Sequence, residues 1–127
     1  MRILLADDQT TLQATMRLWL EQLDGFVLAG VVVDVPSLLQ EVQALQPEIV
    51  LLDWELPGFT DDGERQRILK QLRASRLGLR IVALSAKPVS RQQALAHHVD
   101  AFVSKSEAPD YLAIVLQRLH QVIDEGK

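Results

Sequence analysis

Four short apolar runs in this chain each stop at a residue able to do chemistry. Arg2-Ile3-Leu4-Leu5-Ala6 stops at Asp7-Asp8, Ile49 to Leu52 at Asp53, Arg80 to Leu84 at Ser85, and Ala101 to Ser104 at Lys105. If the runs are parallel strands, three carboxylates, a hydroxyl and an ammonium share the sheet edge where open α/β sheets bind ligands. Carboxylates held close together raise one another's pKa unless a positive charge intervenes. A hard divalent cation resolves this: Mg2+ typically takes one or two carboxylates and fills its shell with water and phosphate oxygens. A hydroxyl and an ammonium opposite such a carboxylate can grip the oxygens of a phosphoryl group. A carboxylate nucleophile attacking phosphorus gives an acyl phosphate. Taken singly, Asp8 would be a helix cap, Ser85 a turn residue and Lys105 a surface charge. Their joint placement favours a cation-and-phosphate site.

The elements that must position these residues alternate along the chain. Leu12, Met16, Trp19, Leu20 and Leu23 recur at helical spacing, and Gly25 closes that segment. Phe26 to Val33 reads as a second strand, rich in β-branched residues. Asp34 is placed to cap a helix beginning near Pro36 with Leu38, Leu39, Val42 and Leu45 inward, and Pro47 marks its end. After the third strand comes a turn segment through Gly63, then a helix carrying Ile68, Leu69 and Leu72. A polar helix over about 90–98 precedes the fifth strand, and a last helix runs from Pro109 to about Asp124. Five βα units with short connections predict a doubly wound five-stranded parallel sheet, (βα)5, covered on both faces. In the flavodoxin-like order 2-1-3-4-5, the first and third strands are neighbours at the switch point, which brings Asp7, Asp8 and Asp53 together.

Composition narrows the function classes. The 127 residues suit one domain over 1–127, with seventeen acids, thirteen Lys and Arg, a net charge of -4 and no cysteine. Disulfide and thiolate chemistry are excluded, and a reducing cytoplasm is the expected setting. No basic face points to nucleic acid, so direct DNA binding by this chain is not expected. No apolar run is long enough to span a membrane, and no signal-peptide core forms before Asp7-Asp8.

Taken together, these motifs resemble the receiver domain of two-component response regulators, the CheY-like variant of this fold. The resemblance covers essentially the whole chain. It rests on Asp7-Asp8, Asp53 with Leu56-Pro57-Gly58, Leu84-Ser85-Ala86, and Ala101-Phe102-Val103-Ser104-Lys105. It implies that Asp53 is the phosphoacceptor, served by a sensor histidine kinase or phosphotransfer protein. Asp8, Asp53 and the backbone carbonyl of Glu55 would hold Mg2+, with Asp7 acting through water. Ser85 and Lys105 would bind the phosphoryl oxygens, and Ser85 with Phe102 would form the switch. The domain would catalyse only its own phosphorylation and dephosphorylation. Glu55 and Lys87 occupy variable positions flanking the attack path, and their opposite charges predict an ion pair that tunes the lifetime of the phosphorylated state.

Some positions depart from the family pattern. Trp54 stands where a smaller aliphatic residue is usual, which predicts a shield over the site or a surface contact. Trp19 is expected in the core. The segment from Gly58 to Glu64 is two or three residues longer than usual, and Lys105 is followed by Ser106, not proline. His97-His98 replaces a small residue and glycine, which puts His98 in a left-handed position. Metal binding by the two histidines is the weaker idea, because adjacent residues do not share a helix face.

On the last helix Leu112, Leu116, Leu119 and Ile123 form a stripe toward the sheet. Tyr111, Val115 and Val122 lie on its flank and Ile114 nearly opposite. The apolar flank suggests a partner surface, and the resemblance places dimerisation or effector contacts on the fourth helix, fifth strand and fifth helix. The closing stretch, Ala101 to Leu119, looks most like receivers of the NarL/FixJ class of transcription regulators, although no effector domain is present in this chain. Two alternatives stand beside this reading. One is a degenerate receiver acting only as an interaction module. The other is a haloacid dehalogenase-like phosphohydrolase, with Glu55 two residues after the nucleophile.

Overall fold

Alternate residues of the strands feed two separate cores, one on each side of a single sheet. The structure, a computed structural model, describes residues 1–125, with side chains described through residue 121. Its strands are β1 (Arg2–Ala6), β2 (Val27–Val32), β3 (Ile49–Asp53), β4 (Arg80–Ser85) and β5 (Ala101–Ser104). They alternate with α1 (Thr10–Glu21), α2 (Val35–Leu45), α3 (Asp62–Ser75), α4 (Ser90–Ala96) and α5 (Asp110–Glu125). All strand pairs are parallel and the order is β2-β1-β3-β4-β5, as the sequence predicts.

Successive side chains on a strand point to opposite faces. Leu4, Val50, Leu52 and Ile81 therefore pack with Leu38 and Val42 of α2, Ile68 and Leu72 of α3, and Ala94 of α4. Ile3, Leu5, Leu51 and Val82 pack on the other side with Met16 and Leu20 of α1 and Leu112 and Leu116 of α5. The apolar positions of β1, β3 and β4 are buried throughout, which explains why those runs lack polar alternation.

Register brings the strand ends level. Ala6 pairs with Leu52, Asp53 with Leu84, and Ser85 with Ser104. The residues that follow these ends must therefore meet at one edge.

Local signals held at several ends. Asp34 caps α2 by accepting from the Ser37 backbone N–H at 2.9 Å. His98 is left-handed at φ 63°, and Arg73 braces that turn by donating to the carbonyls of His97 at 2.8 Å and His98 at 3.0 Å. Because the turn begins there, α4 stops at Ala96, two residues before the expected end. Gly58 has φ +88°, and a Cβ there would lie 3.2 Å from Val35, so this turn needs glycine on both counts.

Other expectations are corrected. Trp19 is only partly buried. On α5, Val115 is buried instead of forming a wet flank, whereas Ile114 is exposed as expected. The side chains of Val122 and Ile123 lie outside the described residues. Among the described residues no helix is long and apolar enough to cross a membrane.

Candidate functional site

Asp7 follows β1 directly and is fully buried, held by its backbone N–H donating to the Val32 carbonyl at 3.0 Å. Its Oδ1 accepts from the Gln9 N–H at 2.8 Å. Asp8, the next residue, is exposed. Asp53 ends β3 at 2% exposure, and its Oδ1 accepts from the Glu55 N–H at 3.0 Å. One carboxylate oxygen from each of Asp7, Asp8 and Asp53 lies within 4.8 Å of the others.

Lys105 reaches this cluster from the end of β5. Its backbone N–H donates to the Ser85 carbonyl at 2.9 Å, which ties the loop to β4. Its Nζ lies 3.0 Å from Asp7 Oδ2 and 3.3 Å from Asp53 Oδ2, and donates to Gln9 Oε1 at 2.6 Å. Gln9 was not anticipated as part of the site; its only sequence signal is that it follows the acidic pair.

The charges act on one another as their placement requires. Burial is the main force raising the Asp53 carboxyl above its ordinary value, and the Asp7 charge adds to it. The Glu55 N–H and the Lys105 ammonium oppose the rise. Burial works against the charge on Lys105, but bonding and attraction to Asp7 and Asp53 outweigh it and hold the ammonium above its usual range. One ammonium thus meets two of the three clustered carboxylates, Asp7 and Asp53. The donors are all hard oxygens and the exposed Asp8 leaves a wet approach, so the residues fit a small divalent cation such as Mg2+.

Ser85, at the end of β4, is fully buried. Its Oγ faces both carboxylate oxygens of Glu55, at 2.8 and 3.0 Å, and accepts from the Lys87 N–H at 3.0 Å. The expected Glu55–Lys87 ion pair is therefore corrected: Glu55 is engaged by Ser85, and the contacts of Lys87 to this group run through its backbone. Phe102 is buried in the core beneath α4.

Trp54 neither shields the acceptor nor meets solvent. It is wholly buried, edge-on to Phe59, and its Nε1 donates to Gln93 Oε1 at 3.0 Å. Behind it lies Arg65, a residue the sequence did not single out. Arg65 donates to the carbonyls of Phe59 and Trp54 at 2.8 and 2.7 Å and to Gln93 Oε1 at 3.0 Å. Its guanidinium carbon sits 4.9 Å from the Trp54 ring centroid. His97 contacts Asp62 Oδ1 through Nε2 at 2.6 Å, so it serves this α3–α4 junction, and no metal cluster among the described residues includes it.

A family model for the response regulator receiver domain matches residues 3–117. The chain belongs to the response regulator receiver domain family. One relative of this receiver is a probable C4-dicarboxylate response regulator, DctR, of Halalkalibacterium halodurans. It is 31% identical over 85 residues, covering 67% of this chain and 35% of that protein. The receiver spans about a third of the length of the curated relatives it matches. Among solved structures it is similar to a LuxR-family DNA-binding response regulator from Staphylococcus aureus. That match has 21% identity and TM-score 0.78, and covers 93% of this chain and 97% of the other. It is also similar to the isolated receiver of RcsB from Salmonella enterica, solved in the presence of phosphomimetic BeF3-. Here the identity is 24% and the TM-score 0.81, covering 95% and 88% of the two chains. These structures share its fold. The family match favours a regulatory receiver over the phosphohydrolase alternative.

Proposed function

We propose that the domain accepts a phosphoryl group on Asp53 from the phosphohistidine of a sensor histidine kinase or phosphotransfer protein. The observation that carries this is the convergence of Asp7, Asp8, Asp53 and Lys105 at one sheet edge, with Lys105 Nζ 3.3 Å from Asp53 Oδ2. Asp7, Asp8, Asp53 and the backbone carbonyl of Glu55 would hold Mg2+. When bound, the cation neutralises the acidic cluster and draws charge from the phosphoryl oxygens.

An Asp53 oxygen attacks phosphorus and forms a P–O bond as the P–N bond breaks. The electron pair returns to the imidazole nitrogen, which takes a proton. Lys105 opposes the rise that burial imposes on the Asp53 carboxyl and then bonds a phosphoryl oxygen. The Ser85 hydroxyl donates to another. Movement of Ser85 changes what Phe102 packs against, and this biases the α4–β5–α5 face between two states. That face would meet a second copy or an effector, with control of transcription as the output within a longer regulator in the cytoplasm. The domain would turn over only its own phosphoryl group. The net charge of -4 disfavours direct nucleic-acid binding by these residues.

Intact-mass measurement after incubation with Mg2+ and acetyl phosphate tests the reading. Wild type is expected to gain one phosphoryl group, and Asp53→Asn or wild type in EDTA none. A wild-type chain that takes up neither phosphoryl nor beryllofluoride would overturn it, leaving a degenerate receiver that works by contact alone.

A further inference from the structure

The hydroxyl of Ser85 has one proton, and in this structure that proton faces a carboxylate. Ser85 Oγ lies 2.8 Å from Glu55 Oε1 and 3.0 Å from Oε2, closer than the Lys87 carbonyl at 3.4 Å, and one of its lone pairs accepts from the Lys87 N–H at 3.0 Å. The proposed function asks the same proton to serve a phosphoryl oxygen on Asp53. We infer that Glu55 is a built-in competitor for Ser85: its carboxylate occupies the hydroxyl before phosphorylation and must be displaced by the arriving phosphoryl group. The inference rests on the phosphoacceptor reading and adds a residue that sets how readily the site closes on its ligand.

Displacement is feasible because the two partners are held differently. Ser85 ends a buried strand, with its neighbours fixed by β3 and β5. Glu55 lies in the turn after β3 and is half-buried. Its backbone N–H stays anchored on Asp53 Oδ1 at 3.0 Å, so the side chain can swing away by rotamer change without unravelling the loop. Charge supplies the drive. A phosphoryl group on Asp53 puts a second anion beside Ser85, and two anions sharing one hydroxyl repel. Glu55 can leave for solvent, whereas a phosphoryl group covalently held on Asp53 cannot.

The competition acts on affinity for the phosphorylated geometry, not on the bond-making step. Glu55 is thus a positioning residue. Freeing the hydroxyl should tighten the site by roughly the worth of a charge-assisted hydrogen bond, on the order of tenfold.

The test is beryllofluoride affinity in Mg2+, read by fluorine NMR of the bound ligand, for wild type, Glu55→Ala, Glu55→Gln, Ser85→Ala and the Glu55→Ala/Ser85→Ala double variant. Thermal unfolding of each establishes that it is folded. Glu55→Ala is expected to bind about tenfold more tightly than wild type. Glu55→Gln, which keeps an acceptor without the charge, should fall between them. With Ser85 replaced by alanine, removing Glu55 should lose most of its effect. Equal tightening with and without Ser85 would overturn the inference, because repulsion alone would then explain it. No tightening in a wild type that binds normally would also overturn it, and would leave the phosphoacceptor reading intact. If neither wild type nor Glu55→Ala binds, the phosphoacceptor reading fails and takes the inference with it.

Discussion

Arg65 donates from Nη2 to the backbone carbonyl of Trp54 at 2.7 Å, so a buried guanidinium on α3 grips the residue that follows Asp53. The same guanidinium holds the Phe59 carbonyl and shares Gln93 Oε1 with the Trp54 indole. Burial pulls Arg65 below its ordinary pKa, against the nearby charges of Glu55, Asp62 and Asp61. The contact matters because the loop it fixes carries the Glu55 N–H that bonds Asp53.

Replacing Arg65 should therefore be costly. Arg65→Met would leave two buried carbonyls without their donor, with an expected loss of about 2–4 kcal/mol. Arg65→Lys should recover little, since an ammonium cannot reproduce the fork that serves three acceptors. Urea unfolding at neutral pH checks both; a loss below about 0.5 kcal/mol, the range of ordinary surface changes, would contradict the brace.

Magnesium should stabilise the fold by mass action. At ten times its dissociation constant a single bound ion adds about 1.4 kcal/mol. Asp8→Ala removes an exposed ligand with little structural role and should abolish that gain while leaving stability in EDTA nearly unchanged. Thermal unfolding across a Mg2+ titration reads both numbers.

Asp53 should show a pH signature in the absence of divalent cation. Its folded pKa lies above the ordinary carboxyl value, so its contribution favours folding fully below that ordinary value. It is lost as pH rises through the folded one. Asp53→Asn should therefore raise the unfolding temperature at pH 7 in EDTA, with the gain closing as pH falls below the ordinary carboxyl range. A constant difference at all pH values would show that ionisation is not the cause.

Lys105 has the opposite chemistry but the same direction of shift. Its raised folded pKa means a stabilising contribution present below the ordinary lysine value and lost as pH rises through the folded one. Lys105→Met leaves buried Asp7 and Asp53 facing each other, with an expected loss on the order of 2 kcal/mol in EDTA. Mg2+ should add more stability to Lys105→Met than to wild type, because it replaces the missing positive charge; a simple packing defect would leave the Mg2+ increment at its wild-type size.

The legible part of this molecule was its strand ends. Asp7, Asp53, Ser85 and Lys105 each follow an unbroken apolar run, and parallel register carries such residues to one edge. The left-handed His98 was readable as well, because its neighbours end a helix where glycine is favoured. What escaped the sequence depends on loop paths. Glu55 and Lys87 look like an ion pair by charge, yet the turn after β3 delivers Glu55 to Ser85. Trp54 looks like a surface or shielding residue until the loop folds it beneath Phe59 and α4. Arg65 sits among charged neighbours on α3 and shows no periodic signal, since the pocket that buries it is built by residues 54–59 and 93.

The most direct test of the central claim locates the phosphoryl group itself. Wild type is treated with Mg2+ and acetyl phosphate, reduced with borohydride to convert an aspartyl phosphate to homoserine, and digested for peptide mass spectrometry. Homoserine at position 53 and at no other acid is the expected result, with none formed in EDTA. Modification of a different residue, or of none while the protein remains folded, would contradict the assignment of Asp53 as the phosphoacceptor.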